Sequence, residues 1–161
     1  MMSSMKRFLI IVLAFCAFIP GSFAQDSFST EQLAFRNSME EYLKKENYNP
    51  FVDEEDNSLM FRAKGDWFWL YVNKTGPFYI ELHMMGVSIE DMDVIRLLEA
   101  CNYANSTIRC SKAYVNAKEL FITTEVYVDG PDEFKAIFRH CISTANDAKK
   151  RVLEYYYQQD E

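Results

Sequence analysis

The chain has 161 residues, of which 49% are hydrophobic, 16% aromatic and 25% charged, with only five Gly and four Pro. Such a length and apolar content suit one domain with a true core rather than a linker-rich or disordered chain. Its 17 basic and 24 acidic residues leave a formal charge of −7, which argues against electrostatically driven nucleic-acid binding and against a polybasic membrane anchor.

Residues 1–24 place Lys6 and Arg7 before an apolar run from Phe8 to Ile19, then Pro20-Gly21 and a small-x-small ending at Ser22-Phe23-Ala24. This three-part layout predicts a signal peptide cleaved after Ala24, because the run is too short to span a bilayer comfortably. The expected product is a single domain, residues 25–161, that is periplasmic or secreted. Leu13-Ala14-Phe15-Cys16 has the outline of a lipoprotein box, but Phe15 stands where that motif needs a small residue. Loss of Lys6 and Arg7 takes the remaining chain to −9. It retains Cys101, Cys110 and Cys141. Three thiols allow at most one internal disulfide, in three possible pairings, so the domain is no disulfide scaffold. Their spacing also lacks the close ligand pairs of a zinc site.

Ser29-Thr30-Glu31-Gln32 has capping-box form and precedes Phe35, Met39, Tyr42 and Leu43 on one helical face, which predicts a helix over 30–45. Residues 47–57, with Pro50 and the acidic cluster Asp53-Glu54-Glu55-Asp56, read as a solvated loop. Strand-like runs follow at 58–63, 67–72 and 78–84, separated by turn-forming residues, and predict an antiparallel meander. A second helix is expected from Ser88 to about Asn105, with acidic residues in its first turn. Strands over 112–116 and 120–128 come next, and Pro131 opens a last helix reaching about Tyr157. The predicted fold is α+β, an antiparallel five-stranded sheet in the order α-βββ-α-ββ-α.

Two features of this layout bear on function. In the middle helix Ile89, Met92, Val94, Ile95, Leu97, Leu98, Cys101, Tyr103 and Ala104 spread nearly around the circumference, so it demands burial on more than one side. Its own neighbours or a second subunit can supply that cover, with Val94 and Leu98 as the candidate outward contacts. In the strands, period-2 alternation sets Phe68, Leu70, Val72, Ile80, Leu82, Leu120, Ile122, Val126 and Val128 toward the helices. The opposite face then carries Trp67, Trp69, Tyr71, Tyr79, His83, Phe121 and Tyr127. That is more aromatic surface than a soluble monomer ordinarily leaves open. A helix of the same chain, a protein partner or a stacked sugar could cover it.

The element order, with Glu99-Ala-Cys-Asn-Tyr-Ala-Asn105 followed by Lys112-Ala-Tyr-Val and a long closing helix, resembles the bacterial sensory transduction regulator family. That family has a type III secretion chaperone-like fold, and Asn102, Asn105, Lys112 and Tyr114 match its spaced-Asn helix and K-x-Y strand. The resemblance covers roughly residues 30–157 and implies protein binding, commonly with self-association, without catalytic residues or a cofactor. The chain departs from it in carrying an export signal. A bacterial source would leave the sequons at Asn73 and Asn105 unused.

Catalytic chemistry finds little support. A hydrolase needs a nucleophile and base or paired carboxylates in a cleft, and only His83 and His140 are available. His140 falls on the polar side of its helix, and Glu81 with His83 is the sole acid-base pair that one strand face offers. Asp53-Glu54-Glu55-Asp56 lacks the Gly and the spaced Glu of an EF-hand loop. The sequence thus reads as an exported, non-catalytic protein-binding domain whose partner is another protein or a second copy of itself, as a homodimer. It is expected to use Val94, Leu98 and the aromatic face of Trp67, Trp69, Tyr71, Tyr79, Phe121 and Tyr127. The alternative is a glycan or small-ligand module stacking on Trp67, Trp69 and Tyr79.

Overall fold

A computed structural model describes residues 28–73 and 77–158. The expected signal peptide and Lys74 and Thr75 of the first sequon lie outside the described residues. Helix α1, Thr30–Lys45, starts as its sequence predicts: Ser29 Oγ accepts from the Gln32 N–H while the Gln32 side chain accepts from the Ser29 N–H. The Gln32 Nε2 also donates to the Val72 carbonyl at 2.7 Å. One buried side chain therefore both caps the helix and fastens it to the sheet.

Six strands follow in one antiparallel sheet: β1 Phe51–Val52, β2 Leu59–Ala63, β3 Asp66–Val72, β4 Phe78–Ser88, β5 Ser111–Asn116 and β6 Glu119–Val128. Their spatial order is β1-β2-β3-β4-β6-β5. Strands β2 to β6 are those the alternation predicts. The sixth, β1, is a two-residue edge strand inside the segment read as loop, where Phe51 pairs with Met60 and Val52 with Leu59. So short a strand carries no periodicity, and tertiary pairing alone creates it. The two-residue turn between β2 and β3 holds Lys64 at φ 50° and Gly65 at φ 95°, the left-handed pair that a tight hairpin requires.

Two helices complete the fold, α2 over Val94–Thr107 and α3 over Pro131–Gln158. The expected start of α2 at Ser88 is displaced by six residues. Strand β4 instead runs on to Ser88 through a register shift between Met84 and Val87. Gly86 permits this continuation, since a Cβ there would lie 2.9 Å from the Cβ of Glu119 on β6. Such close approach is a common reason for glycine within a strand. Asp93, accepting from the Arg96 N–H at 3.0 Å, is the true N-cap, and no acidic residue sits in the first turn of α2.

The three helices share one core with the sheet. Phe134, Phe138, Cys141, Ile142, Ala145, Ala148, Val152 and Tyr156 bury the predicted stripe of α3. They meet Phe35, Met39 and Leu43 of α1, Leu97, Ala100, Cys101 and Ala104 of α2, and the alternating set Leu59, Phe61, Phe68, Leu70, Ile80, Leu82, Met84, Leu120 and Ile122. Cys101, Cys110 and Cys141 are all free thiols, and among the described residues no helix is long and apolar enough to cross a membrane.

Candidate functional site

Two surfaces stand out. The first is the outer side of α2. Only Leu97, Ala100, Cys101 and Ala104 of that helix are buried; Val94 is 47%, Ile95 70% and Leu98 47% exposed. The broad apolar distribution therefore resolves into a buried stripe and an open one. The open stripe borders a groove lined by Ile95, Leu98, Asn102, Tyr103 and Tyr155, in which the rings of Tyr103 and Tyr155 stack at 4.6 Å. Its position is well anchored: the Asp93 N–H donates to the Tyr156 hydroxyl at 2.8 Å, and the Arg96 guanidinium lies over the Tyr156 ring at 4.7 Å.

The second surface is the sheet face turned away from the helices, where Trp67, Trp69, Tyr71, Tyr79, Phe121 and Tyr127 lie as alternation requires. The start of α1 reaches its rim, where Phe28 and Gln32 adjoin Tyr71 and Tyr79, and Tyr127 is 71% exposed. The rings pack on one another. Tyr79 meets Tyr127 at 4.9 Å, Tyr71 meets His83 edge-on at 5.3 Å, Tyr114 stacks on Phe121 at 5.6 Å, and Phe51 of β1 meets Trp67 at 5.8 Å. Mutual packing accounts for part of the apolar burden that the sequence implies, and the remainder stays open. Val94 and Leu98 are thus on the helical side of the sheet and the aromatic residues on the other, so the structure divides the predicted set into two separate surfaces.

Charge on the aromatic face is more organised than the sequence reading anticipated. Registers place Tyr71 opposite Glu81 and Glu81 opposite Glu125, two like charges side by side, an arrangement that costs stability unless compensated. Glu125 accepts from Tyr79 Oη at 2.5 Å, from Thr123 Oγ1 at 3.3 Å and from Lys112 Nζ. Its partial burial pushes its pKa up, but the hydrogen bonds from Lys112 and Tyr79 outweigh this and hold the carboxyl below its ordinary value. Glu81 engages His83 Nε2 through Oε2 at 2.9 Å. The Tyr79 phenol is pushed well up by burial and then by its bond to Glu125. Tyr71 is pushed up to about 12 by burial, then by the charge of Asp56 and a hydrogen bond to it. The sequence marks Lys112 and Asp56 only for other roles, as part of the K-x-Y strand and of the acidic cluster, and does not single out Glu125. The signal for Glu125 was available, because it shares the period-2 face with Thr123 and Tyr127.

The residues that carry the family resemblance have structural work. Asn105 clamps β5, donating from Nδ2 to the Ala113 carbonyl at 2.9 Å and accepting at Oδ1 from the Ala113 N–H at 2.7 Å. That mimics one rung of a neighbouring strand and blunts the free edge of the sheet. Lys112 holds Glu125, Tyr114 stacks on Phe121, and Asn102 is exposed beside the α2 groove. His140 is exposed. Among the described residues no three His, Cys, Asp or Glu side chains converge as metal ligands.

No family model matches the chain, and no curated protein matches it in sequence. Among solved structures it is similar to YbjN from E. coli, described as a candidate transcription regulator, with a TM-score of 0.60 and 13% identity. The likeness covers 77% of this chain and 92% of that one. At such identity it shows a shared α+β fold at a distance, which is the architecture expected from the resemblance over residues 30–157.

Proposed function

We propose that this protein is an exported, non-catalytic protein-binding domain, a distant member of the sensory transduction regulator family that associates with itself through α2. The observation that carries the reading is the exposed row Val94, Ile95 and Leu98 beside the Tyr103–Tyr155 groove. An apolar stripe on a helix whose opposite face is already committed to the core gains from meeting a second apolar surface, and a two-fold pairing of identical stripes is the simplest way to supply one. The fold shared with YbjN, a candidate regulator, is compatible with protein binding. Export follows from the layout of residues 1–24, and an N-terminus at Gln25 on protein recovered from the cell envelope is the expected sign of it.

Sedimentation velocity of the purified protein across a dilution series tests the association. The wild type should form dimers at roughly tens of micromolar, which corresponds to an association free energy of about −6 kcal/mol. Leu98→Glu should return it to monomer with unchanged circular dichroism, since a carboxylate would be buried unpaired at the contact. A wild-type monomer throughout the series would end the dimer reading.

A further inference from the structure

The aromatic face contains a pocket that the α2 reading leaves unused. An open depression of about 340 Å³ is lined by Phe28, Gln32, Tyr71, Tyr79, Glu81 and His83, at the small end of the ~300–1,000 Å³ typical of ligand sites. Glu81 lies at its centre, with Tyr71 opposite on β3 and Tyr79 and His83 two residues away on β4. We propose that this pocket receives an arginine side chain from a basic segment of a partner protein. The inference rests on the protein-binding reading and names the chemistry of a partner at the second surface.

Three observations support that occupant. The rings are held in place, Tyr79 by its bond to Glu125 and Tyr71 beside Asp56, so their electron-rich faces are presented with little entropy left to lose. A cation over such faces is attracted by the ring quadrupole, and a planar guanidinium can stack and pair with a carboxylate at once. Charge complements the same ligand: Asp53, Asp56, Glu81 and Glu125 gather about Tyr71 and Tyr79. Among the described residues, Lys112 on this face is engaged by Glu125 and Arg62 by the Gly65 carbonyl at 3.3 Å, while His83 Nε2 is hydrogen-bonded to one oxygen of Glu81 and leaves the other oxygen for a ligand. The Glu81 side chain is 34% exposed and so within reach of a ligand. Finally, the aromatic band continues from the pocket to Trp69 and Trp67 on one side and Tyr127 on the other. That is more surface than a single small cation can cover, which favours a peptide as the source of the guanidinium.

The test is fluorescence anisotropy with labelled octa-arginine at about 0.15 M salt, where long-range attraction is largely screened. Glu81→Gln and Tyr71→Leu should each weaken binding by about threefold to thirtyfold, the span expected of a partly desolvated cation over aromatic rings. Glu41→Gln on exposed α1, which removes the same charge elsewhere, should leave binding within about twofold, as a remote screened charge would. Equal losses in Glu81→Gln and Glu41→Gln would reduce the effect to general attraction and overturn the proposal. So would unchanged binding in both Glu81→Gln and Tyr71→Leu. Choline chloride displacing the peptide at or below the concentration at which arginine amide does so would assign the pocket to small cations and overturn the peptide source. None of these variants touches α2, so their dimerisation in sedimentation reports separately on the proposed association.

Discussion

Replacing Asn105 by Ala isolates the bond pair that closes the sheet edge. The side chain supplies both an acceptor at 2.7 Å and a donor at 2.9 Å to one residue, Ala113, and Ala113 is itself 3% exposed. Two hydrogen bonds at about 0.5–1.5 kcal/mol each set a base cost of roughly 1–3 kcal/mol. Because Asn105 sits at the surface, water can reach the freed N–H and C=O of Ala113 and limit the desolvation penalty. The expected loss is therefore about 2 kcal/mol, a shift of roughly 1 M in urea midpoint for a domain with a slope near 2 kcal/mol/M. Equilibrium urea unfolding followed by circular dichroism gives the first readout, and hydrogen exchange at the Ala113 amide gives a local one. Asn102→Ala, three residues away on the exposed side of α2, should stay within about 0.5 kcal/mol of the wild type. Asn105→Ala behaving like Asn102→Ala, or an Ala113 amide that remains as protected as before, would refute the clamp.

Other consequences follow from single positions. Ala117 opens the two-residue turn between β5 and β6 at φ 52°; a left-handed non-glycine residue costs roughly 1–2 kcal/mol. Glycine returns about 0.4–1 kcal/mol of that through the unfolded chain, so Ala117→Gly should raise the unfolding free energy by about 0.5–1 kcal/mol, and a lower urea midpoint would contradict the turn geometry. Burial pushes the Cys101 and Cys141 thiols up to about 11, with a smaller contribution from the Cys110 charge at Cys141, whereas Cys110 is exposed. A thiol reagent should therefore modify one cysteine of the native reduced protein quickly, and Cys110→Ser should abolish that phase; a second fast thiol would show that burial fails to protect the others. The raised values of Tyr71 and Tyr79 mean that their share of stability is fully present below about pH 10 and is lost as pH rises through about 12 for Tyr71 and higher for Tyr79. Glu125, held below 4.5, contributes above that pH and loses its share as pH falls through its folded value. Urea midpoints should decline at both extremes, and Tyr79→Phe should flatten the alkaline decline; an unchanged alkaline slope would remove Tyr79 from the account.

Periodicity alone determined much of this protein. The α1 capping box, the apolar stripe of α3 and the two-residue alternation of β3, β4 and β6 are local patterns, and each element buries the side its own spacing marks. For the same reason the aromatic residues could be assigned to one sheet face without coordinates. What the tertiary structure decided is non-local. The β5–β6 hairpin could lie against either edge of the meander, and β6 joins β4 through the pairs from Phe78–Val128 to Ser88–Glu119. Strand β4 runs through Gly86 and moves the start of α2 to Asp93, because pairing with β6 outweighs the helix-start signal at Ser88. The two-residue β1 exists only by leaning on β2. Likewise, the circumferential apolar residues of α2 cannot declare which of them face outward, since that depends on where β5 and α3 lie. Placement of Leu97 inside and Ile95 outside follows from the Asn105 clamp to β5 and the Asp93–Tyr156 contact with α3. Side-chain spacing reports which face of an element is apolar; only the energies of contacts between distant segments select which partner covers it.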